Sequence, residues 1–304
     1  MSGRASYADW VAVDWGTSRL RVWAMGADGS VRAEAASDDG MGGLARDGFA
    51  PALLDLIGPW LGAAPMPVLA CGMVGSRQGW VEASYATVPC PALADNFARP
   101  DAPDLNVHVV PGIKQTDPAD VMRGEETQIA GFLSLNPNWD GVICLPGTHT
   151  KWVHVSADEV VSFQTCMTGD LFAAISGHTV LKHSTGGDGW DADAFDAALG
   201  DTISRPEKLA AKLFALRAEG LLHGLSNETA RARLSGLLIG AEIAATKPYW
   251  LGQQVAMIGA GSLASLYLRA LAAQSVSATQ AQAERVTLAG LTAAYRKLKE
   301  ATHG

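Results

Sequence analysis

The sequence lacks most of the features that announce a function at a glance. It has no basic run and a net charge of −8, which argues against nucleic acid as the main partner. No stretch approaches a membrane span; the apolar segment 234–245 is short and carries Glu242. Residues 1–10 hold no apolar signal core, so a cytoplasmic location is expected. The four cysteines (Cys71, Cys90, Cys144 and Cys166) show no C-x-x-C spacing, which points to reduced thiols rather than zinc or disulfides. The seven histidines show no H-E-x-x-H or similar ligand spacing. The G-x-x-x-x-G-K-[ST] motif of P-loop enzymes and the protein-kinase signatures are absent. No Pro/Ser linker divides the chain, although 304 residues with 48% hydrophobic content suffice for a large core and two domains.

What is present centres on residues 11–18, Val-Ala-Val-Asp14-Trp-Gly16-Thr17-Ser18. Small apolar residues predict a buried strand, Asp14 ends it, and the alternating 20–24 predicts a return strand. The tip of such a hairpin can wrap an anion. Gly16 lets backbone N–H groups approach phosphate oxygens, and Thr17 and Ser18 add hydroxyls. Asp14 would repel phosphate directly, so its carboxylate implies an intervening metal, Mg²⁺. The plainer reading is an ordinary hairpin with a turn aspartate.

The unit recurs. Val142-Ile-Cys-Leu-Pro-Gly147-Thr148 matches residues 11–17 without a gap and also runs into an alternating strand, 151–155. The repeat predicts a duplicated fold with two phosphate loops facing one cleft. Leu145 replaces Asp14 in the second copy, so only the first would organise a metal.

The rest of the first half reads as strands at 30–36, 67–71 and 105–110, with a helix near 48–61. After Cys71 comes Gly72-Met-Val-Gly75-Ser76-Arg77-Gln-Gly-Trp80, a loop suited to a small polar ligand or simply a connection. Asp117-Pro118 signals a helix start, leading into Arg123-Gly-Glu125-Glu126. An acid pair there either favours the helix dipole or does chemistry; its place upstream of Gly147 points to chemistry. Later, 167–170 reads as an N-capped start to helix 171–181, and 192–199, 206–220 and 227–245 read as helices. Strand 255–258 and the turn Gly259-Ala-Gly261-Ser262 precede a further helix. This nearly satisfies G-x-G-x-x-G/A, but no second strand ending in an acid follows at the expected spacing. A turn against which adenine or ribose packs is the better account. The domain boundary falls near 117–121, giving lobes 1–119 and 120–304.

Together these stretches resemble a known group. The two hairpins and the late glycine turn are similar to the phosphate-1, phosphate-2 and adenosine motifs of the actin, heat-shock-chaperone and sugar-kinase superfamily. Asp14-Trp-Gly-Thr, Gly72-Met-Val-Gly-Ser76 with Gly79-Trp80, 121–128, Pro146-Gly-Thr-His149 with Lys151-Trp-Val153, Met167-Thr-Gly169 and 234–242 resemble the 2-dehydro-3-deoxygalactonokinase family. The resemblance implies an α/β fold of two RNase-H-like, actin-like ATPase lobes around a central cleft. It implies ATP- and Mg²⁺-dependent phosphorylation of 2-dehydro-3-deoxy-D-galactonate on its 6-hydroxyl, in galactonate breakdown. Asp170 departs from the usual glutamate, and Arg19 stands where relatives are often neutral.

Phosphoryl transfer requires positioning, charge neutralisation and a base near the attacking hydroxyl. The expected roles are therefore Asp14 for Mg²⁺, and Gly16, Thr17, Ser18, Gly147, Thr148, His149 and Lys151 for the ATP phosphates. Gly259, Gly261 and Ser262 would receive adenosine. Gly72, Gly75, Ser76, Arg77, Trp80 and Arg123 would receive the sugar acid, with Arg77 or Arg123 meeting its carboxylate. Glu125 is the preferred base, although spacing leaves the choice against Glu126 open. The expected partners are ATP and a small sugar acid, with neither nucleic acid nor membrane, and homo-oligomerisation is left open. Three rivals are an exopolyphosphatase-like phosphohydrolase, a dinucleotide-dependent oxidoreductase using 259–264, and a non-catalytic actin-like ATPase module.

Overall fold

The computed structural model describes residues 7–63 and 65–303; the reading of residues 1–6 as part of a segment without a signal core lies outside them. The chain opens with β1 (Trp10–Trp15), β2 (Leu20–Met25) and β3 (Val31–Ser37), as expected. Helix α1 (Phe49–Ile57) follows, then β4 (Pro67–Gly72), β5 (Tyr85–Thr87), β6 (Cys90–Pro91) and β7 (Asn106–Val109). The main sheet runs β3-β2-β1-β4-β7, with β1 antiparallel to β2 and parallel to β4. As a central strand covered on both faces, β1 is apolar almost throughout. Helix α1 turns Phe49, Ala52, Leu53 and Ile57 onto this sheet, the spacing of one helical face. Each fully buried large side chain there contributes about 1.5–3 kcal/mol.

Asp117-Pro118 does not begin a helix. It is the turn between β8 (Gly112–Thr116) and β9 (Ala119–Met122), which pair Thr116 with Ala119. A proline at a helix start and one in a tight turn share the same local signal, and here strand pairing decides. The helix begins only at Glu125, as α2 (Glu125–Leu135).

The chain then repeats the architecture with β10 (Gly141–Leu145), β11 (Thr150–Ser156) and β12 (Glu159–Cys166), followed by α3 (Thr168–His178) and α4 (Ala192–Ser204). Next come α5 (Leu209–His223), α6 (Asn227–Ala245), the short α7 (Lys247–Trp250), β13 (Val255–Ile258), α8 (Gly261–Ala272) and β14 (Ala278–Ala281). Five strands of this six-stranded sheet run β12-β11-β10-β13-β14, with β10 antiparallel to β11 and parallel to β13. This is the same order as β3-β2-β1-β4-β7, so each sheet is that of an RNase-H-like, actin-like α/β lobe. No side chain caps α3, contrary to expectation: Met167 occupies the cap position.

Helix α9 (Ala283–His303) ends the chain. The compact units are Met1–Trp139 with Ser156–Ser162 and Gln282–Gly304, and Asp140–Val155 with Phe163–Ala281. The division therefore departs from the boundary expected at 119/120. Helix α2 stays with the first unit because α9 packs against it: a Cβ on Gly131 would lie 1.8 Å from the Val286 carbonyl oxygen, and one on Gly290 would lie 1.9 Å from that of Thr127. Trp10 and Tyr295 stack at 4.5 Å between ring centroids in the same unit. No helix among the described residues is long and apolar enough to cross a membrane.

Candidate active site

In the first unit, the ends of β1 and β4 and the start of α2 converge. Gly72 has φ 93° and Gly124 φ 103°, the left-handed region that a side chain disfavours. A Cβ on Gly72 would lie 2.7 Å from the Trp15 carbonyl oxygen and 3.4 Å from Asp14 Oδ1. A Cβ on Gly124 would lie 3.2 Å from Gly72 Cα. Two bare backbones thus meet and bring the Asp14 end of β1 up to the Glu125–Glu126 turn of α2.

Asp14, the last residue but one of β1, lies opposite Arg21 of β2, and the two side chains form an ion pair. Gly16, Thr17 and Ser18 form the hairpin tip, with both hydroxyl residues exposed. The tip is braced from behind by backbone N–H groups: Met41 donates to the Gly16 carbonyl at 3.0 Å and Gly42 to the Thr17 carbonyl at 2.8 Å. Among the described residues, no group of three or more His, Cys, Asp or Glu is placed to hold a metal. A Mg²⁺ carried by phosphates needs only one or two carboxylates and water. Asp14 is a hard oxygen donor that already attracts a cation, so its chemistry fits.

The acid pair separates by environment. Glu125 is half-buried and its Oε2 accepts from the Arg123 N–H at 3.1 Å. Glu126 is fully buried; its Oε2 accepts from the Gly124 N–H at 2.6 Å and its Oε1 from the Thr127 hydroxyl at 3.1 Å. Burial first, and the neighbouring Glu125 second, push the Glu126 carboxyl up to about 8.

The loop after β4 divides its expected roles. Arg77 is exposed. Trp80 packs mainly into the core, its ring stacked on Phe49 at 5.9 Å and edge-on to Trp15 at 6.0 Å. Gly75 lies against Arg123, where an added Cβ would come within 2.8 Å of Nη1. Arg123 is buried, donates Nη2 to the Ala83 carbonyl at 2.7 Å and lies over the Tyr85 ring at 4.3 Å. Its Nε and Nη1, like Ser76 Oγ, are buried without a hydrogen-bond partner.

In the second unit, Pro146–His149 form the matching tip. Leu145 faces Lys151 across β10 and β11, so this tip is one residue shorter than that between Asp14 and Arg21. Thr148 and His149 are exposed. Lys151 is buried and donates Nζ to the His149 carbonyl at 3.3 Å, so it supports the loop from inside. Asp170, at the start of α3, donates its N–H to the Thr148 carbonyl at 3.0 Å and holds its carboxylate 3.4 Å from His149 Nε2. Gly169 makes this approach possible, since a Cβ there would sit 2.4 Å from the Gly147 carbonyl oxygen. The turn 259–262 is tied to β14 by the Gly259 N–H on the Ala281 carbonyl at 3.1 Å, while Gly261 and Ser262 are exposed. Strand β14 ends on Ala281, not on the acid a ribose-binding dinucleotide fold would place there.

Arg21 and the brace from Met41 and Gly42 were not among the expected residues. Arg21 could have been found by register, because a short tip after Asp14 sets a return-strand residue opposite it.

The 2-keto-3-deoxy-galactonokinase family profile matches residues 14–294. The chain is 41% identical to "Probable 2-dehydro-3-deoxygalactonokinase DgoK1" of Rhizobium meliloti, over 95% of this chain and 97% of that protein. It is 34% identical to the 2-dehydro-3-deoxygalactonokinase of Escherichia coli, over 93% and 96%. The "Crystal structure of a putative 2-dehydro-3-deoxygalactonokinase protein from Sinorhizobium meliloti" superposes with a TM-score of 0.90 at 40% identity, over 94% of this chain and 98% of that one. With its duplicated sheets and clustered acids, this chain therefore belongs to the 2-keto-3-deoxy-galactonokinase family, phosphotransferases with an alcohol group as acceptor.

Proposed function

We propose that this enzyme transfers the γ-phosphoryl group of ATP to the 6-hydroxyl of 2-dehydro-3-deoxy-D-galactonate, in the cytoplasm. The observation that carries the site assignment is the junction of Gly72 and Gly124, which sets a carboxylate suited to Mg²⁺ beside an acid pair suited to a hydroxyl. Asp14 would hold Mg²⁺ through water, and the ion would neutralise charge on the phosphates. The Gly16–Ser18 and Gly147–His149 tips offer backbone N–H groups and hydroxyls to phosphate oxygens, as transfer by positioning and charge neutralisation requires. The exposed Gly259–Ser262 turn receives adenosine.

Glu125 or Glu126 takes the proton of the attacking hydroxyl. The two carboxyls differ in burial, and burial keeps the proton on Glu126 to higher pH than an ordinary carboxyl would. Arg77, which is exposed, meets the substrate carboxylate from the loop after β4. Arg123 adds positive charge behind that loop, where it steadies Gly75 and the start of α2 rather than reaching solvent.

The test is ADP release with ATP, Mg²⁺ and a panel of keto-deoxy sugar acids. Release should depend on the acid and be greatest with the galactonate-derived compound. Nucleotide turnover that ignores the acid would overturn the reading.

A further inference from the structure

One buried charge has no part in the chemistry above. Glu242 lies within α6, almost fully buried, in a segment otherwise made of apolar and small residues. Burying a carboxylate without a cation is costly unless donors surround it. Trp152 Nε1 donates to Oε1 at 2.8 Å and the Tyr267 hydroxyl to Oε2 at 2.6 Å. Thr168 adds a third side-chain hydrogen bond. The Tyr267 oxygen lies 2.9 Å from the Thr150 hydroxyl; because Tyr267 gives its proton to Glu242, Thr150 donates to it.

The donors come from three elements, and each borders a loop assigned to the nucleotide. Thr150 and Trp152 begin β11, directly after the Gly147–His149 tip. Thr168 begins α3, whose next residues press on Gly147 and bond to Thr148. Tyr267 lies on α8, the helix that follows the Gly259–Ser262 turn. A hydrophobic residue could fill the space on α6 but could not tie these elements together. A carboxylate with two oxygens accepts from all of them and fixes their mutual spacing.

We propose that Glu242 is a positioning residue for the nucleotide: it holds the second phosphate tip and the adenosine turn at the separation ATP requires. This rests on the reading that those two loops bind ATP. Its consequence is selective, because nothing in the network borders the loop assigned to the sugar acid.

The test measures binding of a non-hydrolysable ATP analogue by calorimetry, together with both KM values, in wild type, Glu242→Gln and Tyr267→Phe. Glu242→Gln should weaken analogue binding about tenfold and Tyr267→Phe about threefold, as expected for losing hydrogen bonds to a charged acceptor. The double variant should be little worse than Glu242→Gln alone, since both changes break one network. The KM for the sugar acid should stay within about twofold. Ile243→Val, a neighbouring core change, controls for destabilisation and should leave analogue binding unaltered. If Glu242→Gln does not fold, Tyr267→Phe carries the test. Variants that are folded and bind the analogue as wild type does would overturn the proposal, as would an equal rise in both KM values. Failure of the wild-type protein to bind the analogue would instead remove the nucleotide reading itself, and the proposal with it.

Discussion

Asp14 and Arg21 are direct cross-strand partners on β1 and β2, and the arginine occupies the cation position on the acid proposed to organise Mg²⁺. The side chains are 19% and 34% exposed, so the pair is partly solvated and its worth to stability is about 1 kcal/mol or less. The ion pair alone is therefore a weak reason for Asp14 to be there.

Asp14→Asn should consequently leave the melting temperature nearly unchanged while turnover falls about a hundredfold or more, the scale of losing a preorganised electrostatic contact. Calorimetry and a Mg²⁺-saturated kinase assay on the same preparation check this. A stable variant with near-normal activity would remove the metal role.

Arg21→Ala frees the Asp14 carboxylate from its competing cation. The Mg²⁺ concentration for half-maximal activity should fall, and so should the Kd of a Mn²⁺ probe read by its own spectroscopic signal. A higher requirement for both ions would mean that Arg21 works with the metal and not against it.

The acid pair can be assigned from pH. If Glu126 is the base, kcat should rise with pH and level off above about 8, where that carboxyl ionises. Glu126→Gln would then cost about 10²–10⁴-fold in kcat, the usual worth of a positioned base. A kcat with no limb near that pH, and a large loss only in Glu125→Gln, would assign the role to Glu125.

The same carboxyl links stability to pH. Its folded value, about 8, lies above the ordinary 4.5, so the folded state holds a proton that the unfolded state releases between these values. Its stabilising contribution is full below about 4.5 and declines as pH rises through about 8. Melting temperature should fall over this window more steeply in wild type than in Glu126→Gln. Parallel curves for the two proteins would show that Glu126 is already ionised in the folded state.

Arg77→Ala should raise the KM for the sugar acid about 10–150-fold with the KM for ATP little changed, the loss expected for one charge-assisted contact. Because Arg77 is exposed, the variant should melt as wild type does. An unchanged KM for the acid in this variant would exclude the contact and return attention to the backbone of 72–76.

Much of this architecture was legible locally. The paired strand–Gly-Thr–strand units were readable because apolar alternation and a glycine turn survive in both copies, and α6 begins and ends where its pattern does. What escaped depends on distance along the chain. Asp117-Pro118 looks alike at a helix start and in a hairpin, and only pairing of β8 with β9 separates them. Gly79-Trp80 reads as a ligand loop by composition, yet nothing local says that the Trp80 ring turns to Trp15 and Phe49. The Ala-Thr-Gln-Ala of β14 is too weakly apolar to announce a strand and is held by its parallel pairing with β13. Glu242 was visible as a lone acid in an apolar segment, but its donors lie 25 to 90 residues away.

The return of α9 to the first unit sets an order of assembly on the ribosome. Residues 10–135 emerge before the second unit, but their own unit lacks Val286, Leu291 and Ala294 of its core until residues 282–303 are made. Helix α2, with its acid pair, must meanwhile wait with the groove around Gly131 uncovered, while most of the second unit has already left the exit tunnel. A nascent chain stopped near residue 281 would thus carry the acids without the helix that holds them in place. Residues 10–135 are made before most of the second unit, yet their unit is complete only after it.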